Sequence, residues 1–388
     1  TTAPFELELL RRDWIDGIFG EAFYRQVLDT RTSLKAAPGA IIVRQADPID
    51  FTVEFFAAVS MRRPVVLANP AWAAGEQAEF EQLLAREPVA AGSITIPTGG
   101  TTGGVKLAIH DWSSLSAGAR AVQELLGGGA VHSCCVLPLH HVSGLMQLVR
   151  SFVSGGTICF DERDTEGRCL SLVPTQLQRL MQSREGIRKM NTAQAVFVGG
   201  AAMPRTVAAR ARELKLPVVP VYGMTETAAM IAAIPNADFL SAPAAGAVAL
   251  GDTQISIDAD GSIRVRGSSL FKAYLGGGRI DPGQGFRTGD AGWLDDAGRL
   301  HLRGRMDRLI NTGGEKVDPA EVREALLGLR EVTQASVVGE PDEEWGQVVV
   351  AYVQTSPHAA EKPCAADLRR ALKKQLSSYK VPKHIRFD

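Results

Sequence analysis

An excess of charge of either sign is what this 388-residue sequence most plainly lacks: 42 Lys and Arg face 43 Asp and Glu, a net charge of -1. Whole-protein electrostatics therefore offer no pull toward nucleic acid or an anionic membrane, and any handling of anions has to be local. Cysteine is also scarce. Cys134, Cys135, Cys159, Cys169 and Cys364 are odd in number and include no Cys-x-x-Cys pair. Neither a disulfide framework nor a zinc site is suggested, and a reducing cytosol fits best. No apolar run approaches the roughly 18 residues that a transmembrane helix needs. The first residues, Thr1-Thr2-Ala3-Pro4-Phe5-Glu6, lack the basic-then-apolar pattern of a signal peptide. These absences lead to the expectation of a soluble, cytoplasmic protein with no membrane insertion and no nucleic-acid partner.

What is present is globular: 45% hydrophobic residues, 22% charged, 39 Gly and 20 Pro, with no biased tract that would signal disorder or a fibre. At about 150 residues per domain, the length favours two or three domains. From about residue 40 to 240, Val- and Ile-rich runs alternate with amphipathic stretches. Ile41–Val43, Pro64–Leu67, Val136–Leu139, Thr157–Phe160 and Ala195–Val198 read as buried strands, and Pro217–Val221 as a weaker one because its two prolines cannot donate to a ladder. Val53–Met61, Thr175–Met181 and Arg205–Leu214 carry apolar residues at helical spacing. This alternation predicts an α/β core with a largely parallel sheet, with any ligand site on loops leaving the strand ends. Between about 246 and 305 the pattern changes to short alternating strands, 254–257, 262–266 and 299–303, with turns at Asp260-Gly261 and Ala297-Gly298. Beyond Asp307, a capped helix at Asp318-Pro319, strands at 335–338 and 348–353 and a helix over 365–376 suffice for a small α+β domain.

Three segments could carry chemistry. Thr98-Gly99-Gly100-Thr101-Thr102-Gly103-Gly104-Val105-Lys106 follows the strand Ser93–Pro97. Its glycines let backbone amides converge on an anion, its threonines add hydroxyl donors and Lys106 adds charge, a composition suited to phosphate. It is not a Walker A loop, because Lys106 falls one place late and Leu107 stands where a Ser or Thr should meet magnesium. A plain surface loop is the alternative. The second segment, Tyr222-Gly223-Met224-Thr225-Glu226-Thr227, joins a hydroxyl and a carboxylate at a strand end, able to touch a phosphate oxygen and hold a magnesium ion. Alternatively, Thr225 caps a helix starting near Thr227. The third holds Thr288-Gly289-Asp290, Gly304-Arg305-Met306-Asp307-Arg308 and Gly313-Gly314-Glu315-Lys316. An Asp on a tight turn can accept both ribose hydroxyls and a nearby Arg can add a charge-assisted bond, although ordinary turns and surface ion pairs look the same.

Taken in order, with Gly199-Gly200-Ala201-Ala202 between the first two, these segments resemble the adenylate-forming superfamily of acyl-CoA synthetases, luciferases and peptide-synthetase adenylation domains. Six matches span residues 98–316, and softer similarity continues through Tyr379–Lys383. The resemblance implies a large N-terminal domain of parallel α/β sheets over 1–306, with a β subdomain at about 246–305. A small α+β domain over 307–388 would follow, hinged at Asp307. It also implies an ATP-dependent, magnesium-dependent ligase that joins a carboxylic acid to coenzyme A through an acyl adenylate. Carried over by position, Thr98, Gly99, Gly100, Thr101, Thr102, Gly103 and Lys106 would hold the β- and γ-phosphates. Thr225 would contact the α-phosphate and Glu226 the metal; Gly200, Ala201, Tyr222 and Gly223 would line the adenine and acyl region; Asp290 and Arg305 would bind ribose. The resemblance leaves a homodimer open.

Pro138-Leu139-His140-His141-Val142-Ser143-Gly144 matches the family segment at the acyl pocket, with His141 at the gating position, though a histidine bonded to backbone reads the same. Arg150 lies nine residues on in an apolar stretch, and a buried Arg needs a partner. Among the branches this arrangement most resembles the o-succinylbenzoate-CoA ligases of menaquinone and phylloquinone synthesis, in which Arg150 would pair with the unreactive carboxylate. The alternative is an Arg150 that snorkels to the surface. Two departures bear on this reading. The glycine loop comes early, and the family's Gly-Lys lysine beyond a segment like Tyr379–Lys383 has no counterpart before Asp388, which suggests a trimmed chain. If the chain is complete, slow adenylation with surviving attack of coenzyme A on a supplied acyl adenylate is expected. The competing readings are a ligase for another aromatic or aliphatic acid, a phosphotransferase releasing ADP, and a non-catalytic nucleotide sensor.

Overall fold

The structure, a computed structural model, describes residues 5–36, 38–98, 105–161, 164–306, 308–312, 315–342, 345–355, 363–376 and 378–387. The chain divides into two compact units: one takes residues up to 256 with 264–286 and 294–300, the other 257–263, 287–293 and 301 onward.

The first unit holds two sheets. In the five-stranded sheet, β1 (Ile41–Val43), β2 (Val65–Leu67) and β3 (Ser93–Pro97) run parallel, β4 (Leu107–Asp111) returns antiparallel to β3, and Ala273–Tyr274 closes the edge beside β4. The helix Pro48–Ser60 crosses from β1 to β2. It starts there because Asp47 accepts hydrogen bonds from the Ile49 and Asp50 amides, at 2.8 and 3.0 Å, and Pro48 fills the first helical position. The seven-stranded sheet comprises β5 (Ser133–Cys134), β6 (Ile158–Cys159), β7 (Cys169–Leu172), β8 (Ala195–Val198), β9 (Val218–Met224), β10 (Ala229–Ala233) and β11 (Val248–Ala249), in the order β11-β10-β9-β8-β7-β5-β6. Its strands are parallel from β9 to β6 and antiparallel at β10 and β11.

Two further helices, α1 (Trp112–Leu125) and α2 (Val142–Ser154), join the sheets through one core that includes Ile94 and Ile96 of β3, Leu115 of α1, Leu148 of α2 and Ile158 of β6. An aromatic cluster fills its middle, with ring centroids 5.5 Å apart for Trp14 and Phe56, 4.9 Å for Phe56 and Phe152, and 5.9 Å for Phe152 and Trp112. Each such ring, once buried, contributes roughly 1.5–3 kcal/mol.

Two expectations are corrected, and a third, weaker one is borne out. Val136–Leu139 is not a strand: pairing ends at Cys134, and the chain turns out of the sheet to enter α2. Gly144 packs against that turn so closely that a Cβ there would lie 2.2 Å from the Pro138 carbonyl oxygen. The weaker strand expected over Pro217–Val221 is present as β9, an interior strand that begins at Val218. Pro220 is tolerated because its carbonyl faces β10 and accepts from the Ile234 amide at 2.8 Å. Its missing N–H falls beyond Ala233 and Val221, the last pair of the β9–β10 register, so no bond within that register is lost. Finally, no helix starts near Thr227; the chain makes one tight turn, Thr225–Thr227, and returns as β10. The central strand β7 and the return strands β4 and β10 have no counterpart among the sequence expectations.

In the β region, strands Gln254–Ile257, Ser262–Arg266, Phe286–Leu294 and Leu300–Arg305 form one four-stranded sheet in that order, and the division between the units falls along these strands. The rest of the second unit is a sheet of Glu315–Val317, Ile310–Thr312, Gly346–Thr355 and Val332–Asp342, with His384–Phe387 parallel to Gly346–Thr355. Helices Pro319–Leu327 and Ala365–Leu372 pack there, with Val322, Leu326, Leu368 and Leu372 in a core with Val349, Ala351 and Val353. The second helix ends four residues before the expected 376. Among the described residues no helix is long and apolar enough to cross a membrane.

Candidate active site

The β3–β4 hairpin frames the glycine loop. Gly99, Gly100, Thr101, Thr102 and Gly103, with Gly104, lie outside the described residues. Both ends of the loop are held. The Thr98 amide donates to the Lys106 carbonyl at 2.9 Å, and the Val105 amide donates to Glu79 Oε1 at 3.1 Å. Thr98 is half-buried and Lys106 exposed. Two antiparallel strands thus deliver the ends of a glycine- and threonine-rich excursion to one point, beside the charged side chain of Lys106.

The Thr225–Thr227 turn lies between β9 and β10. Gly223 makes the return possible, since a Cβ there would sit 1.5 Å from the Ala229 carbonyl oxygen. Ala228 and Ala229 adopt left-handed φ values of 53° and 73°, which cost non-glycine residues about 1–2 kcal/mol each. Such strain persists only where the surroundings over-determine it. Here Thr227 Oγ1 accepts from the Met224 amide at 2.9 Å and lies 3.0 and 2.9 Å from the Met224 and Ala229 carbonyls. His110, fully buried on β4, places Nε2 2.8 Å from the Thr225 carbonyl and Nδ1 3.0 Å from Ser114 Oγ. A carbonyl only accepts, so Nε2 carries the proton and Nδ1 accepts from the hydroxyl. Burial pushes the His110 pKa down to about 4, which keeps the ring neutral. The Phe271 amide donates to the Glu226 carbonyl at 2.9 Å, and the Tyr274 hydroxyl donates to Glu226 Oε1 at 2.5 Å. The other carboxylate oxygen, Oε2, makes no hydrogen bond among the described residues. Sequence reasoning found Thr225 and Glu226 but missed His110 and Tyr274. An inward-facing histidine in the strand after the glycine loop was a signal for the first; nothing local marks the second. Tyr222 is buried on β9, while Gly200 and Ala201 are exposed in the loop after β8.

In the segment expected at the acyl pocket, His141 takes the N-cap position of α2 and is exposed, its ring 4.4 Å from that of His140. Arg150 does not snorkel; it is 2% exposed. Its Nε donates to the Met146 carbonyl at 2.9 Å, Nη2 reaches Ser171 Oγ at 3.4 Å, and the guanidinium lies 5.4 Å from the Phe197 ring centre. Among the described residues Nη1 has no partner and no carboxylate pairs with this Arg. Burial lowers its pKa. One helical turn back, Gln147 is also buried with its Oε1 unpaired. The bland expectation for Arg150 fails because a short reach back to its own helix, rather than extension to solvent, satisfies only part of the guanidinium.

In the second unit, Arg305 Nη1 stands 3.8 Å from Asp290 Oδ1. Asp290 lies within the strand Phe286–Leu294 and Arg305 ends the neighbouring strand Leu300–Arg305; the Met306 amide donates to the Gly289 carbonyl at 2.8 Å, and Thr288 Oγ1 donates to the Ile263 carbonyl at 3.1 Å and accepts from the Asp290 amide at 3.1 Å. The two predicted ribose residues are therefore neighbours. Asp307 lies outside the described residues.

A family model described as AMP-binding enzyme matches residues 40–275, and one described as AMP-binding enzyme C-terminal domain matches residues 321–387. Among curated relatives, the 2-succinylbenzoate–CoA ligase of Enterococcus faecalis is 32% identical over 335 residues, covering 80% of this chain and 67% of that protein. The enzyme of the same name from Listeria monocytogenes serotype 4b is 30% identical over 311 residues, covering 74% and 64%. This chain thus spans about two thirds of the length of the curated relatives it matches. Among solved structures, the o-succinylbenzoate CoA synthetase of Bacillus subtilis with its acyl-adenylate intermediate superposes with a TM-score of 0.78 at 23% identity, covering 96% of this chain and 90% of that one. ATP-bound MatB from Rhodopseudomonas palustris gives 0.78 at 20% identity, covering 99% and 95%. These likenesses show the two-domain α/β fold.

Proposed function

The chain belongs to the AMP-binding enzyme family, and from that premise we propose that it is an AMP-forming carboxylate–CoA ligase whose acid is an aromatic dicarboxylate such as 2-succinylbenzoate, acting in menaquinone or phylloquinone synthesis in the cytosol. A carboxylate oxygen attacks the α-phosphorus of ATP and pyrophosphate leaves. The sulfur of coenzyme A then attacks the acyl carbon, AMP leaves with the bonding electrons, and the thiol proton passes to solvent. The detour is needed because oxide cannot leave from a free carboxylate, whereas AMP can. Most of the catalysis is positioning and neutralisation of phosphate charge.

In this reading Thr98, the 99–103 glycine and threonine run and Lys106 hold the β- and γ-phosphates, and Thr225 meets the α-phosphate. Gly200, Ala201, Tyr222 and Gly223 line the adenine and acyl region, Asp290 and Arg305 hold the ribose, His141 gates the acyl pocket and Asp307 is the hinge. Glu226 suits magnesium: Oε2, which makes no hydrogen bond among the described residues, is a hard donor, and such ions are commonly held by one or two carboxylates with phosphate oxygens and water completing the shell. Magnesium would offset phosphate charge there.

The observation that carries the choice of a dicarboxylate is Arg150, a buried cation with a free Nη1 and no carboxylate partner among the described residues. An uncompensated buried charge is costly, and a substrate carboxylate would supply what the protein does not. The test is AMP release by the chain with ATP, coenzyme A and a panel of aromatic and aliphatic mono- and dicarboxylates, run beside coenzyme A capture of supplied acyl adenylates. Acyl-CoA and AMP with 2-succinylbenzoate are expected. ADP as product, or no acyl-CoA from either assay, would defeat the proposal.

A further inference from the structure

We propose that Tyr274 is a positioning residue for Glu226, fixing which carboxylate oxygen the turn presents to a divalent cation. The inference rests on the reading of Glu226 given above and goes beyond it, since Tyr274 belongs to none of the segments that carry the family resemblance.

Tyr274 stands on a strand of two residues, and the way that strand is held makes it an anchor. Ala273 and Tyr274 pair in register with Ile109 and Ala108 of β4. Flanking backbone bonds extend the attachment, from the Lys272 amide to the Ile109 carbonyl at 2.7 Å and from the Leu275 amide to the Leu107 carbonyl at 2.9 Å. The segment is thus tied along the strand that leaves the glycine loop. From that support it grips Glu226 twice, with the Phe271 amide on the backbone carbonyl and the Tyr274 hydroxyl on Oε1. The neighbouring residue is gripped from β4 itself, by His110 on the Thr225 carbonyl. Packing steadies the phenol, whose ring lies 4.8 Å from that of Phe271 in an edge arrangement.

A glutamate on a turn can present either carboxylate oxygen and swing about its side-chain torsions. A phenol donating to Oε1 removes that freedom: it takes one acceptor, holds the carboxylate plane and leaves Oε2 for the cation. Groups that orient a metal-ligating carboxylate in this way commonly change metal affinity by about 10–100-fold when removed.

The consequence is specific to the metal-dependent share of nucleotide binding. The experiment is calorimetric titration of the full chain with ATP, with magnesium and with EDTA, for the wild type, Tyr274→Phe, Glu226→Gln and the double variant, with thermal melts to verify folding. Tyr274→Phe keeps the ring and its packing, so the dissociation constant in EDTA should stay within about twofold, while the magnesium-dependent gain in affinity falls by about 10-fold. The half-saturating magnesium concentration in the ligase assay should rise by a similar factor, with the rate recovering at high magnesium. The double variant should lose no more than Glu226→Gln alone, because the tyrosine acts through the carboxylate. Equal weakening with and without magnesium, or additive losses in the double variant, would overturn the proposal. A Glu226→Gln chain that keeps the full magnesium-dependent gain would instead remove Glu226 as the metal residue, and the proposal with it.

Discussion

In the Thr225–Thr227 turn the protein supplies its own partners: His110 to one carbonyl, Phe271 to the next, Tyr274 to the carboxylate and Thr227 to the ends of the turn. Around Arg150 it does not, and among the described residues Nη1 of the arginine and Oε1 of Gln147 stay unpaired while buried. Both regions keep polar groups out of water, yet one is satisfied and strained and the other relaxed and unsatisfied. In the proposed reading, the difference separates two ways of handling an anion. A group that must meet several charged oxygens in one geometry is braced from behind, so that little reorganises when they arrive. A group that selects one substrate over another is left with an unmet hydrogen-bonding need, because a ligand lacking the matching charge then leaves that need unmet.

The turn offers the largest test of this contrast. In Gly223→Ala the new methyl would meet the backbone oxygen of Ala229, which cannot swing aside as a side chain could. The expected loss exceeds about 4 kcal/mol, the range reserved for broken backbone geometry and disrupted buried networks. Urea unfolding measures it, and a loss below about 1 kcal/mol would mean that the turn is not braced as described. Next in size is Arg150. Arg150→Ala should raise KM for an aromatic dicarboxylate about 100-fold more than for the matched monocarboxylate, the scale of a lost charge-assisted contact. Arg150→Met should leave the melting temperature of the free protein unchanged or higher, because replacing a poorly paired buried charge by an apolar side chain is often neutral or stabilising. A large drop in stability for the Met variant, with equal KM effects on both acids, would make Arg150 a structural residue and erase the contrast.

The braced turn also has a proton dependence of its own. His110 titrates at about 4 in the folded protein against an ordinary value of 6.5, so the unfolded chain binds the extra proton first as pH falls. Stability attributable to the neutral ring is therefore complete above the unfolded value and drains away as pH drops from about 6.5 toward 4. Between pH 7 and pH 5 the loss should be about 2 kcal/mol. His110→Gln, which can still donate to the Thr225 carbonyl, should flatten that slope in urea midpoints taken across the range. An unchanged slope would show that the ring is not the group responsible.

How far these regions could be read from sequence follows from how local their causes are. The glycine and threonine run and the Thr225-Glu226 pair each lie within a few adjacent letters, Asp290 and Arg305 lie in two short motifs, and the alternation of apolar runs was enough to indicate parallel α/β sheets. Elements set by distant partners were not legible. Strand β7 carries a serine among its buried residues and was not expected, whereas β9 was expected only weakly because of Pro217 and Pro220, of which Pro220 alone lies in the strand. Thr225 looked like a helix cap because the return of β10 depends on Gly223 meeting Ala229, a close approach that no spacing rule contains. Arg150 looked equally able to reach water, and only the packing of α2 against Ser171 and Phe197 decides that it does not. Tyr274 lies 48 residues from the carboxylate it touches.

The smallest expected effect probes the strain itself. Ala229 opens β10 with φ at 73°, a value glycine adopts freely. Ala229→Gly removes a left-handed penalty of about 1–2 kcal/mol and adds roughly 0.5–1 kcal/mol of unfolded-state entropy, so a net gain of about 0.5–1 kcal/mol in urea unfolding is expected. The same change loosens the backbone directly after the turn, so the gain in stability should come with a weaker magnesium-dependent increment in ATP affinity, while Arg150-dependent discrimination between acids stays as it was. If stability falls instead, the side chain of Ala229 is packing rather than straining. The bracing of the turn would then have to be assigned to its hydrogen bonds alone.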